Sequence, residues 1–228
     1  MRKEEYQQVK RSLGEQTTLV AVSKLQPVEA IMDMYKLGHR DFGENYVQEL
    51  MEKQLLLPDD IRWHFIGHLQ SNKIKYIAPF IHLIQSVDSF KLLLEIDRQG
   101  GKIGRQIECL LQVHVASEET KFGLHEQELA ELVAGMTRAG EQNQLNHVKV
   151  TGLMGMASFS DDEEKVRGEF ARLSSLYDKY ANIHTHNFHF RHLSMGMSGD
   201  YALAIEEGSN MVRIGSLLFG ARPYPENR

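Results

Sequence analysis

Short apolar runs alternate with helix-length amphipathic segments from Thr18 to Ile214, and that alternation most narrows the folds open to this chain. Strand-like runs fall at Thr18–Val22, His39–Phe42, Ile61–Ile66, Ile81–Ile84, Ile107–Val115, Val148–Leu153, Phe188–Leu193 and Met211–Ile214. Between them lie helical patterns at Pro27–Leu37, Tyr46–Leu56, Asn72–Ala78, Ser89–Arg98, Glu126–Ala139, Glu163–Tyr180 and Tyr201–Glu207. Strands that alternate with helices imply parallel βαβ units. A closed barrel of eight units commonly takes ~250 residues. A chain of 228 reaches eight only with short loops and no extra domain. The expectation is one domain over residues 1–228, a (β/α)8 TIM barrel, with an extra helix at Lys3–Leu13 outside the repeat. The competing architecture is an open doubly wound sheet. The G-x-G-x-x-G fingerprint is absent, which weakens a dinucleotide site but not the sheet itself.

Composition removes several functional classes. The formal charge is −5 and the charges are mixed, so the clustered Lys and Arg of a general nucleic-acid binder are missing. No apolar run approaches the ~20 residues of a membrane span. Met1–Lys10 is too polar for a secretory signal. The one cysteine, Cys109, sits in an apolar run, reads as core, and fits a reducing cytoplasm. The acidic run Asp161–Glu164 reads as a solvated helix start.

In such a barrel the working groups sit at the C-terminal strand ends and in the loops that follow. Lys24 follows the apolar run Leu19–Val22. Burial there would favour the neutral amine, the form that attacks a carbonyl; the plain alternative is a strand-end lysine reaching solvent. Barrel enzymes often bind phosphate with the loops after strands seven and eight. Here those loops offer Ser198-Gly199-Asp200, just before a helix, and Gly215-Ser216. Glycines admit an anion to the backbone and hydroxyls donate to it, although serine and glycine are also ordinary turn residues. Arg213 would suit an acceptor such as a pyridine nitrogen or an acid; its alternative is an ion pair with Glu206 or Glu207.

Several strings then carry a resemblance. Ala21-Val22-Ser23-Lys24, Phe42-Gly43-Glu44-Asn45-Tyr46, His64-Phe65-Ile66-Gly67-His68-Leu69-Gln70-Ser71-Asn72-Lys73, Gly152-Leu153-Met154, Leu193-Ser194-Met195-Gly196-Met197-Ser198 and Val212-Arg213-Ile214-Gly215 occur in this order. Together they resemble the pyridoxal 5′-phosphate (PLP) homeostasis protein family, from about Leu19 to Gly220. The resemblance implies a barrel similar to the N-terminal domain of alanine racemase, a fold-type III PLP protein. It implies that Lys24 carries PLP as a Schiff base, with Asn45 near the ring and Met154 packed beside it. Ser198, Gly215 and Ser216 would hold the phosphate, and Arg213 would face the pyridine nitrogen. Many relatives look like R-I-G-T where this chain has Arg213-Ile214-Gly215-Ser216; the serine keeps the hydroxyl.

The function so implied is intracellular PLP supply by a cytoplasmic monomer, with PLP-dependent apo-enzymes as recipients and no established reaction. A small amino-acid racemase is the alternative, and a regulatory module binding protein partners is a third class. A racemase on this fold adds a β-domain with a tyrosine acting opposite the lysine; only Arg222–Arg228 follows the barrel here. No metal site is expected. The histidines of His184-Thr185-His186-Asn187-Phe188-His189 would point to different faces, whereas zinc needs about four ligands in fixed geometry. His64 and His68 bracket a strand end and read as structural, and Lys73 and Lys121 as solvated rim lysines with a second PLP site left open.

Overall fold

A computed structural model describes residues 1–116 and 122–220. The chain opens with α1 (Lys3–Leu13), then runs through β1 (Thr18–Val22), α2 (Val28–Lys36), β2 (Asp41–Glu44), α3 (Val47–Leu56) and β3 (Arg62–Phe65). A short 3-10 turn (Ser71–Lys73) leads into α4 (Ile74–Ile77), followed by β4 (Leu83–Val87), α5 (Phe90–Lys102), β5 (Ile107–Val113) and α6 (Glu126–Glu141). The rest is β6 (Val148–Gly155), α7 (Glu163–Tyr180), β7 (His184–Thr185), β8 (Phe188–Ser194), α8 (Tyr201–Glu206), β9 (Met211–Ile214) and α9 (Ser216–Phe219).

Eight strands, β1 to β6 with β8 and β9, pair in parallel. The sheet closes because β6 also pairs with β8, at Leu153↔Leu193 and Met154↔Ser194. Closure decides for the barrel over the open doubly wound sheet. Alternation along each strand separates two apolar layers. Val20, Leu83, Leu110, Met154 and Met211 form a cluster of their own, while Leu19, Ala21 and Phe42 join the larger core with Ile31, Leu50 and Phe170 of the helices. Cys109 belongs to that larger core, and burial pushes its thiol up, so it stays a packing residue.

Several local expectations shift. The second strand begins at Asp41 and not at His39, since His39 is occupied outside the ladder: its Nε2 bonds the Asp41 carbonyl at 2.9 Å and its ring meets Phe42 edge-on. The helix expected to end at Arg98 runs on to Lys102 and takes in Gly100 and Gly101. A Cβ at Gly100 would lie 2.6 Å from the Arg105 carbonyl oxygen and 2.7 Å from that of His147, so glycine serves close packing there. The two-residue β7, antiparallel to β8, and the short α9 carry too little periodicity to be read from sequence. Asp162 caps α7 by accepting from the Lys165 amide, and the acidic run is solvated as expected.

Candidate functional site

Parallel pairing brings the C-terminal strand ends to one rim, and register says which residues meet there. Val22 pairs with Gly43, which sets Ser23-Lys24 beside Glu44-Asn45. Ala21 pairs with Ile214 and Val20 with Arg213, which carries Gly215-Ser216 to the other side of β1. Lys24 is half-buried and Met154 fully buried. The loops after β8 and β9 touch: the Gly215 amide donates to Ser198 Oγ at 3.4 Å. Ser216, at the start of α9, is exposed. Asp200 turns back to accept from the Met197 amide at 2.5 Å, which shapes the loop that holds Ser198.

Arg213 is buried to 4 % exposure and makes no ion pair with Glu206 or Glu207; both of those bond Arg167. Its Nη1 donates to Ser194 Oγ at 2.6 Å and its Nη2 to the Gly155 carbonyl at 2.8 Å. Burial lowers its pKa to about 10, and the negative charge of Asp200 works the other way, so the guanidinium is charged at neutral pH. Below it runs a column that sequence reasoning missed. Ser194 Oγ donates to Gln85 Oε1 at 2.7 Å, and Gln85 Nε2 donates to His64 Nδ1 at 3.0 Å. His64 Nδ1 is then an acceptor, so its proton sits on Nε2, 3.2 Å from Asp41 Oδ1. Arg62 closes the column with Nε and Nη2 on the two Asp41 oxygens at 2.7 and 2.5 Å. A glutamine inside the buried run Leu83–Val87 was the available signal.

Asn45 carries the clearest mark of a binding role. Its Oδ1 is buried without a hydrogen-bond partner. Such atoms cost about 1–3 kcal/mol in a folded protein, and each one calls for a reason. The backbone around it is tightly built: a Cβ at Gly67 would fall 2.3 Å from the Asn45 carbonyl oxygen.

The other candidates divide between a groove shared with Asn45 and places away from the rim. Lys73 is exposed and lines, together with Asn45 and His68, a groove of about 440 Å³, with its Nζ 5.8 Å from the Tyr76 ring centre. His68 stacks on Phe122 at 4.4 Å and lies 3.4 Å from Asp88. Lys121 lies outside the described residues. His184 and His189 meet edge-on at 4.6 Å, across the β7–β8 pairing. Metal-type donors do converge at the base of the column, where Asp41, His64 and His82 offer ligand atoms within 4.8 Å of one another. There Arg62 holds both carboxylate oxygens, which accounts for the group as a closed ion pair. Among the described residues no helix is long and apolar enough to cross a membrane.

Comparison with known proteins decides the family. Residues 3–223 match the model of the alanine racemase N-terminal domain. A pyridoxal phosphate homeostasis protein of Aquifex aeolicus is 42% identical over 207 residues, which cover 90% of this chain and 87% of that one. The chain belongs to the pyridoxal phosphate homeostasis protein family. A second member, from Schizosaccharomyces pombe, is 38% identical over 92% of this chain and 86% of its own. Among solved structures, PipY of Synechococcus elongatus with PLP bound superposes at a TM-score of 0.85 with 34% identity, covering 95% of this chain and 99% of PipY. An alanine racemase of Clostridium difficile shares the fold at a TM-score of 0.75 but only 16% identity, and this chain covers 58% of it. The homeostasis-protein family thus joins a racemase-type barrel to members named for pyridoxal phosphate homeostasis and not for a reaction.

Proposed function

We propose that this chain holds PLP at the C-terminal rim through a Schiff base on Lys24 and serves its intracellular supply. The observation that carries the reading is one rim on which a half-buried lysine, a buried charged arginine and the Ser198–Gly215 junction gather, on the fold of a relative solved with PLP bound. When bound, PLP supplies an aldehyde that an amine can capture and a ring that accepts electron density. Asn45 would meet the ring with its unpartnered Oδ1 side, and Met154 would pack against it. Ser198, Gly215 and Ser216 would take the phosphate through hydroxyl and amide donors. Arg213 would face the ring nitrogen. Its charge leaves such a nitrogen unprotonated, a weaker electron sink, which suits holding the cofactor over carbanion chemistry.

The working form is taken as a cytoplasmic monomer that passes PLP to PLP-dependent apo-enzymes. The test is absorbance of purified protein before and after borohydride, with peptide mapping. Wild type is expected to be yellow and to carry a reduced pyridoxyl group on Lys24, and Lys24→Ala to lose the adduct. A pyridoxyl peptide at Lys73 or Lys121 with Lys24 unmodified overturns the assignment. Turnover of L-alanine or L-serine within the usual enzyme range of roughly 1–1000 per second, lost in Lys24→Ala, would make the protein an enzyme.

A further inference from the structure

Lys24 is followed by Leu25 at φ +60°, a left-handed backbone that a branched side chain rarely adopts. Something must hold that turn, and a charged cluster beneath the rim does so. Lys53, on α3, is 5 % exposed, and its three donors are all used: Nζ bonds the Ser23 carbonyl at 2.7 Å, Glu44 Oε1 at 2.8 Å and Glu49 Oε1 at 2.7 Å. The same Glu49 oxygen accepts from the Leu25 amide at 2.6 Å. Ser23 Oγ donates to Glu44 Oε1 at 2.6 Å. The Ser23 carbonyl belongs to the peptide before Lys24 and the Leu25 amide to the peptide after it. Both peptide planes that define the Lys24 Cα are therefore tied to one ion cluster. Glu44 also precedes Asn45, so the cluster joins the two strand ends of the site.

The cluster is costly as a stability device. Glu44 is fully buried, its Oε2 has no partner, and burial pushes its carboxyl well above the usual carboxylate range against the pull of Lys53 and Ser23. Buried ion pairs recover their desolvation cost poorly compared with apolar packing. A strained turn held by a costly cluster, next to the one residue that needs an aimed amine, points to function.

We infer that Glu49, Lys53 and Glu44 are positioning residues that fix the Lys24 backbone so that its amine is aimed for covalent capture of an aldehyde. This rests on the reading of Lys24 as the PLP residue. In that step the neutral amine adds to the aldehyde carbon, the C=N bond replaces the C=O bond, and water leaves.

Glu49 is the residue to change, since Lys53→Met would strand a buried carboxylate and threaten folding. Glu49→Ala is compared with Glu49→Gln, whose amide oxygen still accepts from Leu25. With purified protein and PLP, stopped-flow absorbance follows adduct formation, and equilibrium dialysis measures total bound PLP. Glu49→Ala is expected to form the Lys24 adduct roughly 10- to 100-fold more slowly and to hold a larger share of its PLP uncoupled. Glu49→Gln is expected to restore the wild-type rate to within about threefold, within the same positioning argument. Equal rates in Glu49→Ala and wild type overturn the inference. Amide hydrogen exchange without PLP judges the clamp separately: Leu25 should be protected in wild type and fast in Glu49→Ala, and fast exchange in both overturns it. Loss of wild-type adduct at Lys24 with Leu25 still protected would instead sink the PLP reading and leave the clamp standing.

Discussion

At the N-terminal mouth of the barrel Asp41 has both oxygens held by Arg62 and a further contact from His64, and Arg191 meets Glu108 at 2.5 Å. At the C-terminal rim Asn45 Oδ1 is buried with no partner, Lys24 sits behind a strained Leu25, and glycine and serine loops face each other. Both ends are polar, but at the mouth the Asp41 carboxylate is held at both oxygens, whereas at the rim the Asn45 oxygen is left without a partner. Paired groups at the mouth secure the closed sheet, and the unpartnered Asn45 oxygen at the rim is what a ligand can complete. The Arg213–Ser194–Gln85–His64–Asp41 column joins the two, so the rim arginine is aimed from below as well as from the side.

The largest expected effect separates the ends by stability. Asp41→Ala leaves the buried His64 Nε2–H without its acceptor, a cost of about 1–3 kcal/mol, and releases the half-exposed Arg62, worth up to about 1 kcal/mol more, so chemical denaturation should show a loss of up to about 4 kcal/mol. Adduct formation at Lys24 in the protein that remains folded should change less than threefold, within the scatter of context effects for a remote site. Loss of adduct equal to that of Lys24→Ala would show that the mouth is part of the binding site and break the comparison.

The next effect is pH dependence at the mouth. His39 is buried between Tyr6 and Phe42, and burial lowers its pKa from 6.5 to about 4, outweighing the carbonyl and charge of Asp41. Its folded value lies below its unfolded value, so its contribution is complete above pH 6.5 and is lost as pH falls towards 4. The window is worth roughly 3 kcal/mol at 1.36 kcal/mol per unit. Glu44 runs the opposite way, since its carboxyl is raised to about 7, so a single curve mixes the two. The comparison to make is wild type against His39→Gln in urea titrations from pH 4 to 7. Glu44 contributes equally to both proteins, so the stability advantage of wild type over the variant should widen by roughly 3 kcal/mol between pH 4 and 7; a difference that stays constant with pH would remove His39 from the account.

The smallest effect sharpens the rim. Ser198→Ala should weaken PLP by roughly 1.5–3 kcal/mol, the value of a hydrogen bond to a charged group, and should spare pyridoxal, which lacks the phosphate. Equal losses for both ligands, in paired dialysis titrations, would move the phosphate away from Ser198.

The sequence by itself determined the repeat of strands and helices, the extra helix at Lys3–Leu13, and the side of the barrel where Lys24, Asn45, Ser198 and Arg213 gather. These follow from period and position: alternation of two kinds of segment implies parallel strands, and parallel strands put every C-terminal end on one face. The motif strings Phe42–Tyr46, His64–Lys73 and Leu193–Ser198 added the family, which the relatives bear out. Only the tertiary structure decided that β6 meets β8, that Arg213 turns to Ser194 and away from Glu206 and Glu207, and that Gly100 belongs inside a helix. It alone showed Gln85 and Ser194, 109 residues apart, sharing a hydrogen bond, and Lys53 reaching back 30 residues to the Ser23 carbonyl. Periodicity reports which face a residue occupies, but not which distant partner waits there. Partner choice is a property of the closed barrel, where side chains of separate strands converge on one enclosed space and each buried polar group must be answered by whichever neighbour closure supplies.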